Sequence, residues 1–218
     1  MTTVPGPLPA RVAGGLLAVL LGPVAAVRRG RALHPEGATL RGALRLAEDP
    51  LLPGAGYEGP AVVRISRAAG LPPGAPDVHG LAVRWGTDAA PRDLLLASTG
   101  TSPVGRFVLT SRRSPWGGAF GSLMPFRGPR GPFLLGATPQ QRARGDTRDG
   151  DLRVDVELRV ATPTGRWRRC GSLVADARTG DDPRFDPVRH AAFPAYGWAA
   201  ALRLPSYAAA RHHGRPVF

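Results

Sequence analysis

The sequence predicts an α+β fold in which an antiparallel β-barrel is flanked by helices at both ends. Segments of alternating apolar and polar residues recur along the middle of the chain, Gly- and Pro-rich turns separate them, and both ends have helical patterns. The length of 218 residues suits one domain with a sizeable core. We therefore expect a single domain over 1–218, with an N-terminal helical arm over 1–30, a barrel over 31–176 and a C-terminal helix over 185–213.

The barrel prediction rests on about seven segments that alternate in the manner of half-buried strands. A TPTG turn at 162–165 joins the last two segments into a hairpin. Mostly sequential antiparallel strands of this kind are typical of a barrel. The region 113–130 is rich in Gly, Pro and aromatic residues, and a short helix or a loop fits it. The predicted strands cover residues 38–48, 59–68, 79–87, 92–99, 132–137, 151–160 and 166–176.

The two ends of the chain give the helix predictions. Residues 12–27 form an apolar run of 16 residues with an internal Pro and two Gly, which is short for a membrane span and favours a buried or amphipathic helix. A signal peptide is the competing interpretation, although only Arg11 precedes the run. Residues 195–212 have a helical pattern that Pro205 interrupts.

The formal net charge of +13 comes from arginine alone, because the chain contains neither Lys nor Asn, and this bias is typical of a GC-rich genome. The charge attracts anions such as phosphate or carboxylate. The arginines are scattered, without interleaved aromatic residues or a helix-turn-helix pattern, so we expect no nucleic-acid partner. The aspartates fall in turns such as GDTRDGD and TGDDP, which argues against a metallophosphoesterase.

The single cysteine, Cys170, cannot form an internal disulfide, which favours a reducing compartment such as the cytoplasm. Export or membrane association through residues 12–27 stays open, as does an oligomeric state. We expect no stable membrane span.

One short motif carries the candidate chemistry. Residues 31–42 read RALHPEGATLRG, with Arg31 and His34 just before a strand and with Gly37 and Gly42 allowing a close approach to the backbone. Alone this is weak evidence, because a single histidine is more often a surface residue or a core residue with its hydrogen bonds satisfied.

The segments GPAVVRISRAAG and PDVHGLAVRW follow in order, and together with the motif they resemble the haem-pocket strands of the catalase family. The R-x-x-H-x-x-G-x-x-x-x-G pattern is matched, and the RDLLLAST segment resembles the next strand of that family. The resemblance implies that His34 is the distal histidine, that Ser66 orients it, and that Arg31 and Arg64 contact the propionates of haem b.

A second, looser resemblance lies near the C-terminus. An F-x-P segment at Phe185–Pro187 precedes ALRLPSYAAAR, in which Arg203 stands four residues before Tyr207. The resemblance implies that Tyr207 is the proximal ligand of the haem iron and that Arg203 stabilises its phenolate. Tyr196 is the next candidate for the ligand. Alternatively, Tyr207 only packs a C-terminal helix.

The resemblance implies a haem-dependent enzyme that acts on hydrogen peroxide or organic hydroperoxides, catalase-like or peroxidase-like, with His34 passing a proton from the bound peroxide to the leaving oxygen. The family's peroxide-contacting asparagine is missing, and Ala97 and Ser98 stand in its neighbourhood. This argues against efficient dismutation and leaves peroxidase or hydroperoxide-rearranging chemistry open. The alternative is a haem-free barrel that serves as a binding or structural module for an anionic or lipidic ligand.

Overall fold

The chain folds into an antiparallel β-barrel, which a computed structural model describes over residues 37–54, 56–68, 71, 74–148, 150–181 and 183–198. Its strands alternate buried and exposed residues, as the sequence pattern predicts. In chain order they are β1 Gly37–Leu46, β2 Tyr57–Arg67, β3 His79–Thr87, β4 Ala90–Ser98, β5 Phe120–Gly121, β6 Phe126–Gly128, β7 Gly131–Pro139, β8 Val154–Ala161 and β9 Arg168–Arg178.

Eight of these strands close the barrel in the order β5-β4-β3-β2-β1-β9-β8-β7, and β7 then pairs with β5. Every pairing is antiparallel. Strand β6 pairs with β7 alone and extends the sheet beyond the closed ring. The hairpin predicted around residues 162–165 is confirmed as β8 and β9, and the barrel prediction is confirmed as well.

Large apolar side chains fill the inside of the barrel. Val63, Phe133 and Leu173 are fully buried there, each on a different strand. An eight-stranded barrel is just wide enough for side chains to fill it. A ligand must therefore bind on the outer face of the barrel or at one of its ends.

The predicted α+β class is wrong. Within the residues that the structure describes, helix is limited to a 3-10 turn at Gly105–Phe107 and to Gly197 and Trp198, so this part of the chain is essentially all-β. The predicted N-terminal helical arm over 1–30 lies outside the described residues. The described residues contain no helix that is long and apolar enough to cross a membrane.

The predicted C-terminal helix over 185–213 is wrong for its first part. Residues 183–195 form an irregular strap that hydrogen-bonds along the barrel wall between β4 and β6. Asp93 donates its N–H to the His190 carbonyl at 2.5 Å and accepts from the Ala192 N–H at 3.1 Å, and the Arg127 N–H reaches the Pro194 carbonyl at 2.8 Å. Because β5 has only two residues, most of the edge of β4 lacks a strand partner, and the strap satisfies part of it. Residues beyond 198 lie outside the described part.

Candidate functional site

A row of small residues crosses the outer face of the barrel. Consecutive cross-strand pairs run from β1 to β7, and neighbours opposite one another in a sheet share a face. With strands about 4.8 Å apart, the four residues from β1 to β4 span about 14 Å. This surface, which we call the outer row, consists of Gly37, Ser66, Gly80, Ala97, Gly121 and Gly136.

Arg64 lies over the backbone of Gly37 at the β1 end of the row. A Cβ atom at position 37 would come within 2.7 Å of the Arg64 Nε atom, so the absence of a side chain at Gly37 leaves room for the guanidinium. Arg64 pairs with Thr39 one step further along the two strands. The guanidinium is half-buried, and this burial lowers the pKa of Arg64. A partly desolvated cation on a flat outer face is suited to an anionic group.

Ser66 sits directly opposite Gly37 and is 7% exposed. Within the described part of the chain its hydroxyl makes no hydrogen bond. Arg64 and Ser66 lie two residues apart on β2, so both side chains are on the outer face.

Ala97 and Ser98 point to opposite sides of β4. Ala97 belongs to the outer row between Gly80 and Gly121. Ser98 is fully buried on the inside, where its hydroxyl donates to the Thr110 carbonyl at 2.5 Å and accepts from the His79 N–H at 3.1 Å. The residue that faces the outer surface at this place therefore carries only a methyl group.

An ion pair holds the strap against the barrel. Arg84 donates from Nε and Nη2 to the two carboxylate oxygens of Asp93, both at 2.7 Å, and this pairing raises the pKa of Arg84. The Asp93 side chain is fully buried, and its Oδ2 atom also accepts from the Asp186 N–H at 2.6 Å. Asp93, in the RDLLLAST segment, thus has a structural role in docking residues 184–192.

A buried polar cluster, which sequence reasoning missed, lies on the inner side of the same strands. Arg67, 2% exposed, faces Asp77 and Asp146 with closest N–O distances of 3.6 Å to each. His79 is fully buried, and its Nε2 atom lies 2.9 Å from the Arg112 carbonyl. The only signal in the sequence was the position of His79, which is in phase with the inward-facing apolar residues of β3.

His79 has a hydrogen-bond partner on only one side of its ring. The Nδ1 atom is buried without a hydrogen-bond partner among the described residues. Burial lowers the pKa of His79, and it outweighs the opposing effects of the Arg112 carbonyl and the nearby Asp146. The neutral imidazole therefore donates from Nε2–H to Arg112, and Nδ1 carries no proton.

Four of the predicted site residues lie outside the described part of the chain: Arg31, His34, Arg203 and Tyr207. Tyr196, the alternative ligand, is described and stacks on Trp198 with ring centroids 6.4 Å apart, while the Arg127 guanidinium lies 5.3 Å from the Tyr196 ring. Of the predicted set, the structure thus brings Arg64 and Ser66 together beside Gly37.

The described residues give little evidence of a metal site or of a reactive thiol. They contain no group of three or more His, Cys, Asp or Glu side chains that could hold a metal ion. Cys170 is buried, and burial raises the pKa of its thiol to about 12, so it is a poor nucleophile.

Comparisons with protein-family models and with curated proteins found no match to this chain. The resemblance to catalases therefore rests on the sequence motifs alone.

Proposed function

We propose that the chain is a haem-dependent enzyme of the catalase type that acts on hydrogen peroxide or an organic hydroperoxide. The observation that carries the proposal is the register between β1 and β2, which sets Ser66 opposite Gly37 and Arg64 opposite Thr39 on the outer face. Gly37 and Thr39 follow Arg31 and His34 in one continuous motif, and the register brings Ser66 and Arg64 of β2 beside them. Three extended residues span about 10 Å, so the covalent chain allows His34 to reach Ser66.

Two features of the described residues support haem b as the cofactor. The outer row gives a floor of small Gly, Ser and Ala residues across β1 to β4, which favours the close approach of a planar macrocycle. Arg64 supplies a half-buried cation at one end of the floor, suited to a propionate. Arg31 would be the second propionate partner, and Tyr207, stabilised by Arg203, would hold the iron.

Haem, when bound, would supply the redox-active iron that activates the O–O bond. In the mechanism we propose, His34 would accept a proton from one oxygen of the peroxide and donate it to the other, leaving oxygen. The Ser66 hydroxyl would hydrogen-bond the imidazole and fix its orientation, since a buried hydroxyl normally has a partner. Arg64 would fix the haem edge, and so the distance between the substrate and His34.

Ala97 limits the reaction that we propose. A methyl group faces the outer row where catalases place an asparagine, so a hydrogen bond to peroxide is missing from that side. We therefore propose O–O cleavage with peroxidase-like or hydroperoxide-rearranging turnover, and slow dismutation. The cytoplasm is the compartment that we propose, on the basis of the single cysteine.

The test is titration of the purified full chain with haemin, followed by its visible spectrum and by turnover of hydrogen peroxide and cumene hydroperoxide. We expect stoichiometric binding and a Soret band of a phenolate-ligated haem. His34→Ala should retain haem while turnover falls about a hundredfold. Unchanged turnover would remove His34 from the mechanism, and a missing Soret band would favour the haem-free binding module.

The charge on the floor can be tested separately. Arg64→Gln should weaken haem retention, and Arg31→Gln with Arg64→Gln should weaken it further. Arg45→Gln is the matched control, because Arg45 is an exposed strand arginine paired with Glu58 at 3.5 Å and lies away from the outer row. Equal retention in the double variant and in the control would show that Arg31 and Arg64 do not bind propionates.

A further inference from the structure

A second candidate site lies on the barrel wall beyond the outer row, where β5, β7 and β8 meet the loop after β4. It is a cleft of about 350 Å³, within the size range of small-molecule sites. Gly136 of the outer row forms part of its floor. The cleft is lined by Gly100, Thr101, Ala119, Phe120, Gly136, Ala137, Thr138, Arg159 and Trp167.

Trp167 is a fixed aromatic wall of the cleft. Its indole N–H donates to the Thr101 carbonyl at 2.9 Å, and the Arg106 guanidinium carbon lies 4.9 Å from the ring centroid. Gly136 is required beside the ring, since a Cβ atom there would come within 3.2 Å of a Trp167 ring carbon. The ring position is therefore set by contacts on several sides.

The cleft is electropositive. Arg159 lines it and donates from Nε to Glu157 at 2.7 Å, and Glu157 is shared with Arg169 at 3.7 Å. Arg106, 3% exposed behind Trp167, donates to two backbone carbonyls, those of Ser102 and Thr162. Two guanidinium groups thus share the Glu157 carboxylate, and a third, that of Arg106, lies over the Trp167 ring.

Arg159 also has N–H donors that make no hydrogen bond within the described residues. Its side chain is 41% exposed, and its Nη groups make no hydrogen bond to any residue that the structure describes. A guanidinium edge beside a cleft matches the geometry of a carboxylate, which can accept two parallel hydrogen bonds.

We propose that this cleft binds a small planar anion of the aromatic carboxylate class, with the ring against Trp167 and the carboxylate on Arg159. The cleft volume fits one compact ring system, the indole offers an aromatic partner, and the excess positive charge selects an anion. Gly136 belongs both to the outer row and to this cleft, but the proposal does not depend on haem binding.

The test uses 2-naphthoate as the probe in calorimetry with the full chain, without added haem. We expect saturable binding at one site per chain, and binding of the neutral isostere 2-naphthalenemethanol should be weaker by about tenfold or more. Inorganic phosphate should compete weakly. Absent binding, or equal affinity for the neutral alcohol, would overturn the proposal.

Variants locate the binding within the cleft. Arg159→Gln should lower the affinity for 2-naphthoate by about tenfold or more, whereas the exposed strand control Arg45→Gln should keep it within about twofold. Thr138→Phe should fill the cleft and abolish binding, and its folding is checked by far-UV circular dichroism. Equal losses in Arg159→Gln and Arg45→Gln, or unchanged binding in folded Thr138→Phe, would overturn the proposal.

Discussion

The glycines at positions 37 and 42 belong to one sequence motif, but different atoms face them. A Cβ atom at Gly37 would meet the flexible end of the Arg64 side chain at 2.7 Å, whereas one at Gly42 would lie 2.0 Å from the Val174 carbonyl oxygen and 2.4 Å from the Ala175 Cα atom. The first contact is with a movable side chain and the second is with the backbone of β9. Gly42 therefore sets the spacing of β1 and β9, and Gly37 sets the position of Arg64.

This difference predicts that substitution by alanine lowers the free energy of unfolding by different amounts at the two positions. Gly42→Ala should lower the free energy of unfolding by about 3 kcal/mol, because two backbones must separate. Gly37→Ala should cost less than about 1 kcal/mol, since Arg64 can move aside, yet it should weaken haem retention. Urea denaturation measures the free energy of unfolding of the two variants, and haemin titration measures haem retention. Similar losses of stability would contradict these separate roles.

His79 predicts a specific pH dependence of stability. Burial lowers its pKa in the folded chain, so only the unfolded chain binds this proton as the pH falls below the ordinary value of about 6.5. The free energy of unfolding should fall with decreasing pH by up to about 1.4 kcal/mol per unit, until the lowered pKa is reached. At higher pH the contribution should be constant.

The measurement is chemical denaturation between pH 7.5 and pH 5 for the unsubstituted chain and for His79→Gln. The variant keeps a side-chain N–H donor but does not titrate, so this part of the slope should disappear. If both proteins lose stability in parallel, the slope belongs to other groups.

Ala97 predicts a gain of function. Because its side chain faces the outer row beside Gly80, Ala97→Asn would place an amide where catalases hold peroxide. We expect dismutation of hydrogen peroxide to rise about tenfold relative to peroxidase turnover, as one added hydrogen bond in the transition state would give. Ser98→Asn, which points into the core, is the control. Oxygen evolution measures the change, and no gain in Ala97→Asn would place the substrate elsewhere.

Among the elements, the long strands were predictable because each repeats a two-residue pattern over many residues. Strand β8, Val154–Ala161, is joined to its partner β9 by the predicted TPTG turn. Its inward and outward positions follow from alternation. Strands β5 and β6 have two and three residues, too few for a pattern, so the region 113–130 gave no clear prediction. Alternation also placed Arg64 and Ser66 on one face.

The strap could not be predicted, because its conformation depends on groups far away in sequence. Its N–H and C=O groups bond Asp93 and Arg127, and those edges are available only because β5 is short. The cluster around His79 has the same origin, since Asp146 reaches Arg67 from a distant turn. In both cases the partners are set by closure of the barrel.

The strap should therefore be anchored by Phe193. This side chain is 4% exposed and packs against Trp85, Phe126 and Phe133 with centroid separations of 5.5 to 6.2 Å. Phe193→Ala should lower the free energy of unfolding by about 3 kcal/mol or more. Limited proteolysis should then cut within 183–195 before it cuts the barrel.

Phe185→Ala is the control, because Phe185 contacts the barrel through Arg84, whose guanidinium carbon lies 5.2 Å from the ring centroid, and lies outside that aromatic cluster. Equal protease resistance of Phe193→Ala and the unsubstituted chain would mean that the backbone bonds alone hold the strap.

At the scale of the whole molecule, the proposed haem site draws on three parts of the chain. The N-terminal motif would supply Arg31 and His34, the barrel supplies Arg64 and Ser66, and the region after the strap would supply Arg203 and Tyr207. The strap carries the chain along the outer wall of β4, the strand that holds Ala97. In this proposal the barrel would serve as one wall of the site, and the two ends of the chain would complete the site against it.

The contribution of the C-terminal end is tested by Tyr207→Phe, which removes only the phenol oxygen. A tyrosine that merely packs would lose about 1 kcal/mol of stability and leave the haem spectrum unchanged. If Tyr207 binds the iron, its loss would instead shift the Soret band, loosen the haem and abolish peroxide turnover together. Arg203→Ala would give a weaker form of the same change because the phenolate loses its neighbouring cation.

Tyr196→Phe is the matched control, since Tyr196 stacks on Trp198 and lies beside Arg127. A normal spectrum in Tyr207→Phe together with an altered one in Tyr196→Phe would assign the iron to Tyr196. Normal spectra in both would mean that neither tyrosine binds the iron.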